Sequence, residues 1–342
     1  MSLSERAQEL LPERVWLAED RVVPHGVDTS DGYNYDLALH TATGSSRGVL
    51  VVKAVLQFNF IGRDDLDWDG YARDVLMTHR ISYGPDDYLK AMTHRVATFA
   101  YDEETGNDWE DGDTSRTTEA YRTWYRSDEG RTAARAHAQN WSRQEKRNFM
   151  YQWRRLIQRH WELKFKIRKE AGSAALSEID VVYDVRTTWD ETWSDHYQIN
   201  AINVGETPDR DGLGPRSAVS RRLGQAYIDN RDIHRRSDNQ QIGCVHEYGH
   251  MQGLPDEYPA DSAWAGDDPS VMNGGMDIRP RHYTPLADWV SRKVTEWFER
   301  RTSVATPSEY YVEGSDGRKW TIANAGIYEG TNLERGNRWF WE

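Results

Sequence analysis

The chain has one cysteine, Cys244, among 342 residues, so no intramolecular disulfide can brace it. No apolar run is long enough to cross a bilayer, which argues against membrane insertion. The first ten residues lack the basic start and apolar core of a secretory signal. These absences predict synthesis in the cytoplasm and, if the protein leaves, export that reads no cleaved signal. Positive charge is also scarce. Lys and Arg number 43 against 56 Asp and Glu, and the net charge of −13 argues against nucleic acid and anionic membranes as partners. No internal repeat or low-complexity tract stands out.

What remains is a chain long enough for one large domain or two, with ample length to bury a core. Hydrophobic residues make up 37% and the mean hydropathy is −0.87, so the surface is polar. Fifteen tryptophans are many. They supply area to a core and cleft; a sugar- or peptide-binding platform is the alternative.

The most informative run lies between Gln241 and Tyr258. It contains His246-Glu247-x-x-His250-x-x-Gly253-x-x-Asp256. Two histidines four residues apart on a helix present both imidazoles to one point, which suits a zinc ion. On an ordinary helix they would be surface or hydrogen-bonded core residues; the fixed glycine and aspartate offsets favour the metal. Glu247, beside the first ligand, is placed to take a proton from water without binding the metal. Gly253 suits a left-handed residue that stops the helix and swings Asp256 back as third ligand. Three protein ligands leave a position open, as in catalytic sites. Glu257, Glu296 and Glu299 are alternative third ligands. Glu257 otherwise anchors Arg279 or Arg281, or supports the ligands from behind. Cys244, two residues before His246, points away from the metal face and reads as a buried thiol.

This pattern resembles the metzincin clan of zinc peptidases, and within it the branch with aspartate as third ligand, the snapalysin-like bacterial proteases. Ser270-Val271-Met272-Asn273 is similar to the clan's methionine turn, which implies that Met272 lies under the metal. The clan's tyrosine two residues after that methionine is missing, since Gly274 stands there. Tyr283 or His282 is a candidate replacement. The resemblance covers about residues 240 to 285 at the level of motifs. It implies a zinc-dependent endopeptidase acting on protein or peptide substrates. Glu247 would be the general base, and an edge strand would receive the substrate backbone. A carboxylate ligand leaves the site one positive charge lower than three histidines would, so Glu247 must do more of the deprotonation. Rival readings are a zinc amidase acting on cell-wall or sugar-linked amides, and a binding protein without turnover. A peptidase loose in the cytoplasm is hazardous, which suggests a secretion or injection apparatus as carrier.

The expected fold is α+β, a metzincin-like catalytic domain: a mixed twisted sheet, a backing helix and an active-site zinc helix. Residues 1–46 read as an N-terminal extension. The catalytic domain spans 47–302 and carries a polar, acidic insertion at 62–138 without a clear long period. Residues 303–342 read as a small β appendage. Between Arg47 and Ile61 a strict alternation sets Leu50, Val52, Ala54, Leu56, Phe58 and Phe60 against Lys53, Gln57 and Asn59, which predicts a strand. Ser142 and Glu145 form a capping box before a helix with Phe149, Trp153, Ile157 and Trp161 on one stripe. Strands follow at 163–167, 179–185 and 197–204. The last is the expected substrate-binding edge, with Ile199 and Ala201 on it. Thr284 reads as an N-cap with Pro285 at the first helical position. Aspartates at 102–113, and Asp209 with Asp211, could hold calcium; a solvated loop and a turn are the plainer readings.

Overall fold

The computed structural model describes residues 10, 15–22, 35–41, 45–77, 88–105, 118–169, 176–189, 196–205, 217–221, 223–236, 239–299 and 309–326. The chain is α+β: a mixed ten-stranded sheet with seven α-helices among the described residues.

Strand β3 (Arg47–Ile61) is the spine of the sheet. One side pairs in parallel with β5 (Glu178–Thr188). The other side pairs first with β2 (Tyr35–Thr41), antiparallel, then with β6 (Tyr197–Ile202), parallel. His196 closes the joint between those two neighbours. Its backbone N–H donates to Val55 O at 2.8 Å, and its Nδ1 accepts the Val55 N–H, also at 2.8 Å. Its Nε2 lies 3.2 Å from Asp36, which also holds Lys53. A side chain thus completes the backbone pairing where no strand lies alongside.

Beyond β6 come β8 (Gln225–Asp229), parallel, and β7 (Ala218–Ser220), antiparallel and outermost. Beyond β5 come β4 (Lys166–Lys169), β9 (Tyr310–Glu313) and β10 (Lys319–Trp320), each antiparallel to its neighbour. Strand β1 (Val15–Val22) pairs with β2. The sheet therefore runs through both boundaries expected from the sequence. Tyr35, Leu37 and Leu39 from the N-terminal region join the main core, as do Tyr310, Val312 and Trp320 from the C-terminal one.

The alternation along β3 sends Leu50, Val52, Ala54, Leu56 and Phe58 into the main core. The opposite face is not left to water: Val49 and Val51 pack with Ala38 and Val182. A central strand covered on both faces takes apolar residues on both. The capping box forms as its spacing predicts. The Glu145 N–H donates to Ser142 Oγ at 3.2 Å, and the Ser142 N–H to Glu145 Oε2 at 2.7 Å. It opens the long helix Arg143–Trp161, whose stripe of Phe149, Trp153, Ile157 and Trp161 is buried. Phe58 meets the Phe149 and Trp153 rings edge-on, with centroids at 6.0 and 5.6 Å.

The insertion, whose sequence shows no clear long period, is helical over much of its described length. It contains α1 (Trp68–Met77), α2 (Tyr88–Thr105), α3 (Glu119–Arg126) and α4 (Asp128–Ala136), so the long helix is α5. Thr118 and Ser127 cap α3 and α4, accepting the N–H groups of Tyr121 and Gly130. These helices share a second core of Tyr71, Tyr101, Tyr121 and Tyr125 that reaches Ile61, Ile202 and Tyr227 of the sheet. Asp102 lies in the last turn of α2. Most of the acidic stretch after it, and Asp209 with Asp211, fall outside the described residues. Helix α6 (Gly243–Met251) carries the two histidines. Before α7 (Thr284–Glu299) a 3-10 turn spans Pro280–Tyr283. Thr284 is itself helical, and its hydroxyl donates back to Arg281 O at 2.8 Å, so it does not serve as the expected N-cap.

The expected substrate edge is corrected. Strand β6 is interior, paired with β3 on one side and β8 on the other. Ile199 and Ala201 are fully buried in the main core. Both edges of β6 are occupied, so an incoming chain cannot add to it. Proline at Ile199 would remove a donor from an interior ladder. The Ile199→Pro variant is expected to lose cooperative thermal unfolding, not to fold normally with a raised KM; circular dichroism melting distinguishes the two.

Candidate metal centre

Helix α6 is buried along nearly its whole length, including Cys244, Val245, Tyr248 and Met251. The Cys244 thiol sits in the main core, where burial pushes its pKa well up. Neighbours pin the helix at several points. Trp161 Nε1 donates to Val245 O at 3.1 Å, and the Tyr197 hydroxyl to Met251 O at 3.2 Å. At the N-terminus Gly243 lies so close to the Asp232 carboxylate that a Cβ there would meet Oδ1 at 2.0 Å. Asp232 thereby places a buried anion at the positive end of the helix. Inside the motif, a Cβ on Gly249 would meet Met272 Sδ at 2.2 Å. The methionine packs directly beneath the turn that carries both histidines.

The helix ends as its glycine predicts. Gly253 has φ +93°. Its N–H donates to His250 O at 2.9 Å, and the Leu254 N–H donates to Gly249 O at 3.1 Å. This is the paired bonding of a left-handed helix stop, and it turns the chain back over the helix. Arg221 Nη1 holds the Gly253 carbonyl at 3.0 Å.

The reversal brings Asp256 to the histidines. Its Oδ1 lies 3.3 Å from His246 Nε2 and 3.1 Å from His250 Nε2, and the two Nε2 atoms are 3.1 Å apart. The other ring nitrogens are committed elsewhere: His246 Nδ1 donates to Val271 O at 2.7 Å and His250 Nδ1 to Leu254 O at 2.8 Å. With the Nδ1 protons so placed, neutral rings aim two Nε2 lone pairs at one carboxylate oxygen. Three acceptors then converge with no proton among them. A tetrahedral ion bound at about 2.0–2.1 Å has ligand atoms roughly 3.3 Å apart, so the donor set fits zinc. In the metal-free chain, burial pushes the Asp256 carboxyl up. His250 and His246 outweigh it and hold the group well below the carboxylate range.

Glu247 is buried beside this triangle, and its Oε2 has no hydrogen-bond partner. Burial pushes its carboxyl up to about 7; His246 opposes the shift, while Asp232 and Asp256 reinforce it. The buried Arg95 of α2, in the insertion, faces Asp229, Asp232 and Glu247. Nothing in the insertion's sequence singles that arginine out.

Glu257 does not join the triangle. Its two oxygens take Arg281 Nε and Nη2, each at 2.7 Å, and its Oε1 lies 3.2 Å from His282 Nε2. Its N–H donates to Met272 O at 2.8 Å, tying the ligand turn to the methionine turn. Arg279 pairs with Asp267 instead. Glu296 pairs with Lys293 on α7.

The two candidates for the missing tyrosine are corrected. The Tyr283 hydroxyl donates to Trp161 O, and burial pushes its pKa well up. His282 is held by Glu257 and accepts the Arg279 N–H at 3.1 Å. Both side chains are spent in the core. The tyrosine beside the triangle is Tyr258, half-exposed, whose hydroxyl donates to Asp256 Oδ2 at 2.9 Å. Its position two residues after Asp256 is visible in the sequence. Gln241, also unremarked there, donates to the carbonyls of Val271 and Asn273 at 3.2 and 2.9 Å.

No family model, curated protein or solved structure matches the chain.

The two adjacent carboxylates should separate by phenotype. Asp256→Ala removes one of the three converging acceptors and is expected to weaken zinc binding at least tenfold. Glu257→Ala leaves the buried Arg281 with Asp267 as its remaining ionic partner and its Nε without an acceptor, a loss of about 1–3 kcal/mol in metal-free stability. Competition titrations with a zinc indicator and thermal melts read both. The assignment fails if the two phenotypes are exchanged.

Proposed function

We propose that the chain is a zinc-dependent endopeptidase of metzincin type. The observation that carries the reading is the lone-pair triangle of His246, His250 and Asp256 beside the unpartnered, buried Glu247. Zinc, when bound there, supplies Lewis acidity that polarises the scissile carbonyl and makes water more acidic.

The chain's own residues do the rest. Glu247 removes the proton of the attacking water and hands it to the leaving amine. A carboxyl raised toward neutrality suits both halves of that task. Its isolation from other donors keeps Oε2 available for water. The substrate backbone adds to β7, the outermost strand on its side of the sheet, which lies against α6. That strand takes the role first expected of Ile199 and Ala201. The Tyr258 hydroxyl, on the exposed side of Asp256, would turn from Asp256 Oδ2 to donate to the oxyanion that develops at the carbonyl. The metzincin-like reading of the fold is supported by α5 on one face of the sheet, α6 beneath its β7 side and Met272 under the histidine-bearing turn.

The test is Glu247→Gln. The variant is expected to bind zinc as the wild type does, because the residue is not a ligand. Its kcat on a peptide library should fall by about 10²–10⁴-fold with KM little changed. Wild-type turnover in the variant would remove Glu247 from the chemistry. A zinc-loaded wild type that cleaves cell-wall amides and no peptide would establish the amidase reading instead. No turnover on either substrate would favour a binding protein.

A further inference from the structure

The whole-chain charge of −13 conceals one strongly basic face. Between Arg143 and Lys169 the only acidic residues are Glu145 and Glu162. Glu145 is engaged in the capping box, and Glu162 accepts the Tyr183 N–H at 3.3 Å. Arg143, Arg147, Arg154, Arg155, Arg159 and Lys164 are all exposed. None of the six forms an ion pair among the described residues. Their crowding is felt by half-buried His160, whose pKa falls to about 4. Burial is the first cause, followed by Lys164, Arg159 and Arg235.

The 19 residues of α5 form a rod about 28 Å long. Arg147 and Arg154 lie on one side of the exposed face, about 10 Å apart along the axis, and Arg155 and Arg159 lie on the other, about 6 Å apart. Tyr151, 51% exposed, stands between them, with the Arg154 guanidinium 5.9 Å from its ring centroid. The other exposed positions between the arginines are the amides Gln144, Asn148 and Gln152 and the capping-box Glu145, whose Oε2 accepts the Ser142 N–H. The rod is rigidly mounted, since its apolar stripe is sealed into the main core.

From this geometry we infer that the outer face of α5 is a nucleic-acid-binding surface that grips the phosphate backbone. Charge complementarity calls for a polyanion. The composition of the face selects among polyanions. A protein partner would need an apolar core to its interface, and apart from Tyr151 this face offers no apolar anchor. A membrane would need an apolar helix face to insert, and that face is buried within the protein. Arginines with interspersed amides and one exposed ring match the polar, positively charged character of nucleic-acid interfaces, with phosphate contacts and base stacking. The acidic remainder of the molecule repels a long polyanion, so binding should be confined to this face and sensitive to salt. The inference does not depend on the peptidase reading.

The test uses the full chain and fluorescein-labelled DNA of about 20 nucleotides, as a single strand and as a duplex, read by fluorescence anisotropy between about 50 and 200 mM salt. Wild-type affinity is expected to fall steeply with salt. The variant R147Q/R154Q/R155Q/R159Q should bind at least about tenfold more weakly, with a log–log salt slope shallower by about three to four. Its melting and peptidase activity should match the wild type, because none of the four arginines has an ionic partner to lose. Should the quadruple variant not fold, Arg155→Gln and Arg159→Gln singly should each reduce the slope by about one. Wild type that ignores both DNA forms at the lowest salt overturns the inference. Equal binding by wild type and variant overturns it as well. So does α5-dependent binding to anionic vesicles or polyglutamate without binding to DNA.

Discussion

The centre depends on one electrostatic constraint: three electron-pair donors held 3.1–3.3 Å apart with their protons directed elsewhere. Without an ion the cluster is relieved by a proton: burial works against the charged His250 ring, but Asp256 outweighs it and raises the His250 pKa. The cluster persists because each member is fixed from outside. The carbonyls of Val271 and Leu254 orient the two rings, and the reversal at Gly253 delivers the carboxylate. The buried Glu257–Arg281 pair fastens the next residue to Met272. Ion pairs of this kind seldom add much stability against an apolar substitute, but they specify one arrangement. Here the arrangement they specify is the convergence of His246, His250 and Asp256, which we propose holds a cation.

The sheet explains why the triangle sits where it does. Strand β3 commits both faces and both edges to the interior, and among the described strands the sheet ends on the site's side at β7, beyond β8. Helix α6 lies under that outermost strand, between it and the wall built by α5 and the methionine turn. The helical insertion is not remote from this arrangement, since the buried Arg95 interacts electrostatically with Asp229, Asp232 and Glu247.

What the sequence disclosed and what it hid follow from the range of the interactions. The ligand spacing, the Gly253 stop, the Ser142–Glu145 box and the alternation along β3 are local, and each formed where its pattern lies. The interior place of β6 could not be read from Tyr197 to Val204, because neighbours in a parallel sheet come from distant parts of the chain. The short helices of the insertion are hard to read because α3 and α4 are only 8 and 9 residues long, and α3 buries Tyr121 and Tyr125 and α4 only Gly130 and Ala134 in place of an aliphatic stripe. Tyr283 and His282 were plausible by proximity in sequence, yet the 3-10 turn that carries them faces the core. Net charge was the least informative quantity, since it averages a basic helix with an acidic remainder.

The central claim is that the triangle exists to hold zinc. The most direct measurement is zinc-edge X-ray absorption on the purified chain, with metal content determined on the same sample. The account predicts about one zinc per chain in a shell of nitrogen and oxygen only, two imidazoles among them. Sulfur in the shell, which could come only from Cys244 or a methionine, would contradict it. So would a chain that refuses stoichiometric zinc at neutral pH.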